Sequence, residues 1–578
     1  MKILKQISIL FSIIWLFIAC NDSFLERYPL SSLSPETYFT SEAELKSFTN
    51  AFYSYLPDVI GQVTNVKQGD DIAATTFPSE FIGTRFVPGS GGGWSWGNLR
   101  SINFYLANSH KCEDRDVREK YDGIARFWRA FFYYEKLTRF GDVPWYDKVI
   151  EQTDEEALTK ARDSRGYVFE RMLEDIDYAI KYCPTERNPE AITRWTALAL
   201  KSRMCLFEGT FRKYHEKTGW EDILAECVSA SEELMKNSGY EIYKSSPDKA
   251  YREMFLTEVP NSEFILAATY TNTLSKNHYL NLHLQGPSQG HVSMTRDLFN
   301  SYLNSDGTRF TDKPNHATIE FYESTQNRDL RLNQSIRTKG YTYPGGTTVL
   351  LPDFSASTTG YMITKYVTDI TTVNGTNAMP FFRYAEVLLN YAEAKAESGS
   401  ISQTDIDRSI KLLRDRVGMP NLNLLVANSS PDPFLASLYP RVDGTNKGII
   451  LEIRRERRIE MFLEGLRWDD ILRWKEGQLF SKQLKGAYFP GTGDYDLDGN
   501  GSIDLVIYSG DKPSMVAGRQ YMDISDMHLS NGLAGGEIVV NPHIKRIWNE
   551  ERDYFYPIPL QELQLNLNLV QNPIWATE

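Results

Sequence analysis

The stretch Ile124-Ala-Arg-Phe127-Trp128-Arg-Ala-Phe131-Phe132-Tyr-Tyr-Glu-Lys-Leu137-Thr-Arg-Phe140-Gly141 decides the fold. Ile124, Phe127, Trp128, Phe131 and Phe132 fall at i, i+3, i+4, i+7 and i+8, which puts them on one face of an α-helix. Trp195, Leu198, Ala199, Ser202 and Leu206 repeat nearly the same spacing. Ala385, Leu388, Leu389, Ala392 and Ala396 do so again, and the period assigns Glu386 and Glu393 to the opposite face. The first two segments share a Trp, an Ala two places later (Ala130, Ala197) and a Gly further on (Gly141, Gly209). Small alanines inside an aromatic stripe let helices approach closely, as in stacked helical hairpins.

Trp128 and Trp195 lie 67 residues apart, about twice the 34-residue tetratricopeptide period. The expected fold is therefore mainly α: tetratricopeptide-like hairpins in a scaffold that carries long irregular loops and a few short strands. Four segments interrupt the helical pattern: 69–97, 272–296, 338–380 and 484–545. All are long, aromatic and rich in Gly, Ser, Thr or Asn, and structureless loops of that length are uncommon unless they are functional.

The composition removes several alternatives. With 578 residues, 41% hydrophobic and 24% charged, the chain is too apolar to be disordered and too polar for a multi-span membrane protein. Its net charge of −13 argues against nucleic acid as a partner, since neutralising phosphates takes a surplus of Lys and Arg. Lys2 and Lys5 precede an apolar run from Ile7 to Ala19, the form of an export signal and too short to span a bilayer. Ala19-Cys20 followed by polar Asn21-Asp22-Ser23 resembles a lipoprotein cleavage site, with Cys20 as the lipidated residue. Loss of residues 1–19 removes two lysines and takes the charge to −15. The remaining Cys112, Cys183, Cys205 and Cys227 have no metal-site or redox spacing and read as buried free thiols.

Five blocks carry a family resemblance. They are Cys20-Asn-Asp-Ser-Phe-Leu-Glu-Arg-Tyr-Pro29, Phe140-Gly-Asp-Val-Pro144, Arg383-Tyr-Ala-Glu-Val-Leu-Leu-Asn-Tyr-Ala-Glu-Ala394, the run from Ile453 to Trp474, and Tyr556-Pro-Ile-Pro-Leu-Gln-Glu-Leu563. In this order the chain resembles the SusD/RagB family of outer-membrane glycan-binding lipoproteins. The resemblance implies a signal peptide (1–19), then an N-terminal region with the helical repeats (20–290) and a C-terminal region (291–578), packed as one unit. It also implies a lipid-anchored, surface-exposed protein of the outer membrane. Such a protein binds oligosaccharides or polysaccharides without catalysis and hands them to a SusC-like TonB-dependent transporter. A surface glycoside hydrolase and a helical-repeat scaffold that binds only protein are the alternatives.

Sugar binding needs flat aromatic faces together with amide, carboxylate and guanidinium groups. The Gly-rich segment with Trp94 and Trp96, followed by Asn98 and preceded by Arg85, offers these types together. A second loop offers Tyr279, His283, Gln285 and His291. Asp494, Asp496, Asp498, Asn500, Ser502 and Asp504 place oxygens at alternate positions around Gly499 and Gly501. From Asp496 onward they match nine positions of an EF-hand loop and are expected to hold a structural Ca²⁺, although position twelve is Ile507. Arg454, Arg455, Arg457 and Arg458 alternate with Glu452, Glu456, Glu460 and Glu464, which reads as an i, i+3/i+4 ion-pair lattice. No nucleophile elbow, zinc-protease or phosphate-loop motif occurs.

Overall fold

The computed structural model describes residues 38–577 apart from Asp58, Asn65, Asn272, Leu274, Ser275, Pro287 and 369–373. The export signal, Cys20 and the first family block therefore lie outside the described residues. The frame is built from α1 (Gly97–Asn108), α2 (Arg115–Phe140), α3 (Arg165–Tyr182), α4 (Arg194–Tyr214), α5 (Trp220–Asn237), α6 (Tyr384–Glu397), α7 (Lys447–Glu460) and α8 (Arg467–Arg473). Asp114 opens α2: its carboxylate accepts the amides of Asp116 and Val117, satisfying donors that a helix start leaves free. Gly141 closes it at φ 75°, a backbone conformation that favours glycine. All five residues of the α2 stripe are buried, as are the stripes of α4 and α6. Helix α3 packs on α2, α5 folds back on α4 through residues 215–219, and α6 lies against α5 and α7.

The strands are short: β1 (Ile72–Ala73), β2 (Phe264–Ala268), β3 (Ser293–Met294), β4 (Met379–Arg383), β5 (Lys485–Phe489), β6 (Gly493–Tyr495), β7 (Leu505–Tyr508), β8 (Gln520–Asp523) and β9 (Gly536–Val539). They pair as β1–β3, β2–β4, β5–β9 and β6–β7–β8. Two large apolar clusters form most of the core, and both draw residues from either side of residue 290. The four cysteines are buried and free. No helix among the described residues is long and apolar enough to cross a membrane.

Helix α7 corrects the expectation of a local ion-pair lattice. Its four arginines are buried, and of their ion pairs only Arg455–Glu452 follows the i, i+3 spacing within the helix. Arg458 reaches Asp71 at 2.6 Å and Asp70 at 3.0 Å, and Arg457 reaches Asp470 at 2.8 Å. Arg455 pairs with Asp432 and Arg454 with Glu397 at 3.3 Å. Glu460 is shared by Arg383 (2.8 Å), Arg331 (3.1 Å) and Arg416. Burial alone would raise the Glu460 carboxyl, but Arg416, Arg383 and Arg331 outweigh it and hold it well below the usual range. Glu386 and Glu393 on α6 are likewise buried, against Arg203 (2.7 Å) and Arg473 (2.8 Å). The helix that looked two-faced is enclosed all round, its polar side facing other charged helices. Asp70 is further held by Arg467 at 2.7 Å, so this network fixes the root of segment 69–97 to the helical frame.

Candidate functional site

The glycine loop ahead of α1 is clamped from beneath. Lys136 of α2 donates to the Gly93 carbonyl, and Arg139 Nε donates to that of Gly92 at 3.1 Å. The Leu560 and Gln561 amides of the closing family block donate to Pro88 and Gly89 at 2.9 Å. Burial pushes the Lys136 ammonium down to about 8. Trp94 is 5% exposed, with its ring 4.9 Å from Phe140 and 5.4 Å from Trp96. Trp96 is half-buried, edge-on to Tyr146 at 5.7 Å, with Lys136 Nζ 5.5 Å over its ring. Arg85 is buried, 2.6 Å from Asp553 and among the rings of Trp548, Tyr556 and Trp575. These placements bury Trp94 and Arg85 among core rings, away from an open face.

Asn98 is exposed on the first turn of α1. In the second predicted loop, Tyr279 is 49% exposed ahead of the short helix Leu280–Gln285. His283 is half-buried, and burial lowers its imidazole. Gln285 is buried and bonded to Ile363 and Arg337. The structure thus pairs Trp94 with Trp96 but does not gather the predicted sugar-contacting residues into one site.

What the fold gathers instead is the four irregular segments. A groove of about 230 Å³ is lined by Thr75, by His291, by Phe354, Ser357 and Thr358, and by residues of 522–541 that include Asp526, His528 and Asn541. Each segment contributes one of these sets, and hydrogen bonds hold them together. Strand β1 pairs with β3, and the Thr75 amide donates to Gly290 at 2.9 Å. Asn541 Nδ2 donates to the carbonyls of Ala74 (3.2 Å) and Thr75 (3.1 Å). The Thr358 hydroxyl donates to Ala73 and His291, both at 3.2 Å. Phe354 N donates to Gln520 Oε1 at 3.0 Å. His291, His528 and Asn541 adopt φ of 53°, 49° and 48°. Such left-handed conformations are uncommon without glycine and concentrate at functional sites. The His528 ring meets the His543 ring edge-on at 5.7 Å. Of these lining residues, only His291 is among those expected from the sequence; the further signal there is two histidines, 528 and 543, inside a long glycine-rich segment.

A larger hollow of about 490 Å³ lies between α5 and α6, lined by Glu221, Glu232, Glu233, Lys236 and Lys395. Glu232, Glu233 and Lys395 are already paired with Arg408, Arg194 and Asp405. It belongs to the frame, with none of the four irregular segments in it.

The acidic loop forms the connection between β6 and β7. Asp496, Asp498 and Asp504 each bring one carboxylate oxygen to within 4.8 Å of the others. The amides of Asp498, Gly499 and Gly501 point at the Asp496 carboxylate. Burial raises the Asp504 carboxyl, and the charges of Asp498 and Asp496 raise it further. Asp494 pairs within β6, Asn500 and Ser502 are exposed, and Ile507 is buried in β7. Of the six expected ligands, Asp496, Asp498 and Asp504 converge as carboxylates, while β7 takes up the last three positions of the EF-hand-like loop, 505–507.

A helical-hairpin frame that displays a groove made by its irregular segments defines the architectural class. Residues 262–575 match the sequence profile of the SusD family, and the chain belongs to that family. It is 24% identical over 522 residues to SusD-like protein P2 of Formosa agariphila, covering 82% of this chain and 92% of that one. It is 21% identical over 598 residues to a SusD-like protein of Bacteroides ovatus, covering 97% and 95%. Among solved structures, a SusD-like carbohydrate binding protein of Bacteroides fragilis superposes with a TM-score of 0.69 at 22% identity, over 92% of this chain and all of that one. These likenesses agree with the mainly α fold expected from helical periodicity.

Proposed function

We propose that this protein captures oligosaccharides or polysaccharides in the groove between its four irregular segments and acts without catalysis. The observation that carries the reading is the convergence of those segments, with hydroxyl, amide, imidazole and carboxylate groups, on one preformed groove. The family membership and the carbohydrate-binding relative support it. Among the described residues lining the groove Asp526 is the single carboxylate, which favours binding over hydrolysis, since most glycosidases work with a pair. Lipid on Cys20 would hold the protein on the outer membrane, where it would deliver the glycan to a SusC-like TonB-dependent transporter. Calorimetry of the mature chain against a glycan panel is expected to give saturable heats with no release of reducing ends. Absence of binding throughout the panel contradicts the reading, and product release would assign a hydrolase.

The same reading includes a structural Ca²⁺ held by Asp496, Asp498 and Asp504. The three converging carboxylates and the upward push on Asp504 support it, because a cation would relieve that repulsion. EDTA is expected to lower Tm by a few degrees and calcium to restore it, with Asp498→Asn insensitive to both. A Tm unmoved by either reagent contradicts this part.

A further inference from the structure

The chemistry of the groove also bears on which glycans it takes. Its polar lining consists of the Thr75, Ser357 and Thr358 hydroxyls, the Asn541 amide, the His291 and His528 imidazoles and the Asp526 carboxylate. Among the described residues that line it there is no lysine and no arginine. Three cations on or next to the same segments are held by other groups: Arg296 lies 2.9 Å and Lys485 2.6 Å from Glu537, and Arg546 Nε donates to the Phe480 carbonyl at 2.9 Å. Asp526 is exposed at the groove, and among the described residues no ion pair engages its carboxylate.

We propose, building on the glycan reading above, that the groove selects neutral glycans and rejects those that carry carboxylate or sulfate groups. The exposed Thr75 hydroxyl, the Asn541 amide oxygen and the imidazoles match sugar hydroxyls, which both donate and accept. An anionic sugar would lose water from its charge and gain no ammonium or guanidinium in return. It would also come within several ångströms of the Asp526 carboxylate. At surface dielectric values that repulsion alone costs about tenfold in affinity per anionic group brought close.

The test uses pairs with one backbone and two charge states: methyl-esterified against de-esterified homogalacturonan oligosaccharides, and desulfated against sulfated galactan oligosaccharides. Calorimetry is run at pH 8, above the ordinary imidazole range. For every backbone that binds, the neutral member is expected to bind at least tenfold more tightly. Asp526→Asn should narrow that gap, and Asp526→Lys should close or reverse it. Equal or tighter binding of the charged member, or a gap unchanged in Asp526→Lys, overturns neutral selection while the glycan reading stands. If neither member of any pair binds, nor any glycan of the wider panel, the glycan reading itself falls and this inference with it.

Discussion

At the scale of single residues, the arginines and glutamates of α7 determine how the protein responds to acid. Glu460 is buried among three guanidiniums, and removing one member of such a set leaves an uncompensated charge. Glu460→Gln is expected to cost about 3–5 kcal/mol, read from the midpoint of urea unfolding. Glu460, Glu464, Glu456 and Glu397 are all held below the ordinary value of 4.5. The unfolded chain therefore binds more protons, so their stabilisation is complete above about pH 4.5 and is lost as pH falls toward the folded values. The urea midpoint should drop steeply between about pH 5 and 3. Glu476 runs the other way. Burial, reinforced by Glu550, raises it to about 7 against the pull of Arg454 and Arg441. Folding therefore favours its protonated form, and that contribution is lost as pH rises from 4.5 to 7. Glu476→Gln should gain up to about 3 kcal/mol relative to the parent at pH 8 and little at pH 4. A variant whose relative stability does not change with pH would contradict that account.

The helices were legible in the sequence because their signal is local. A 3.6-residue period exposes the stripes of α2, α4 and α6, and each of them is buried as the spacing predicts. The same period set Glu386 and Glu393 on the opposite face but carried no sign that this face is buried against Arg203 and Arg473. Nor does it distinguish an exposed indole from one packed against Phe140 and Trp96, as Trp94 is. The join between the irregular segments is non-local altogether: Asn541 and Ala74 are 467 positions apart in the chain. Close approach between elements is open to a direct check. A Cβ on Gly448 at the start of α7 would fall on the Ala427 carbonyl oxygen, whereas one on Gly97 at the start of α1 meets nothing within 4 Å. Gly448→Ala is expected to cost about 1–3 kcal/mol or more, and Gly97→Ala to be neutral or stabilising by up to about 1 kcal/mol. Equal effects in chemical denaturation would show that the packing of α7 against residues 424–429 does not have the tightness described.

For the whole molecule, the helical frame does one thing for function: it brings four irregular segments, remote in sequence, to one edge. The Arg458 and Arg467 contacts to Asp70 and Asp71 anchor the first segment, and hydrogen bonds from Thr75, Thr358 and Asn541 join the other three to it. A ligand seated there should slow amide exchange in all four segments together. The most direct measurement is hydrogen–deuterium exchange of the mature protein, with and without a glycan that calorimetry shows to bind. The account predicts joint protection near Thr75, His291, Ser357–Thr358 and 526–541, with the clamped glycine loop 89–97 unchanged. Protection confined to 89–97 and 279–285, with the four-segment groove unaffected, would contradict it.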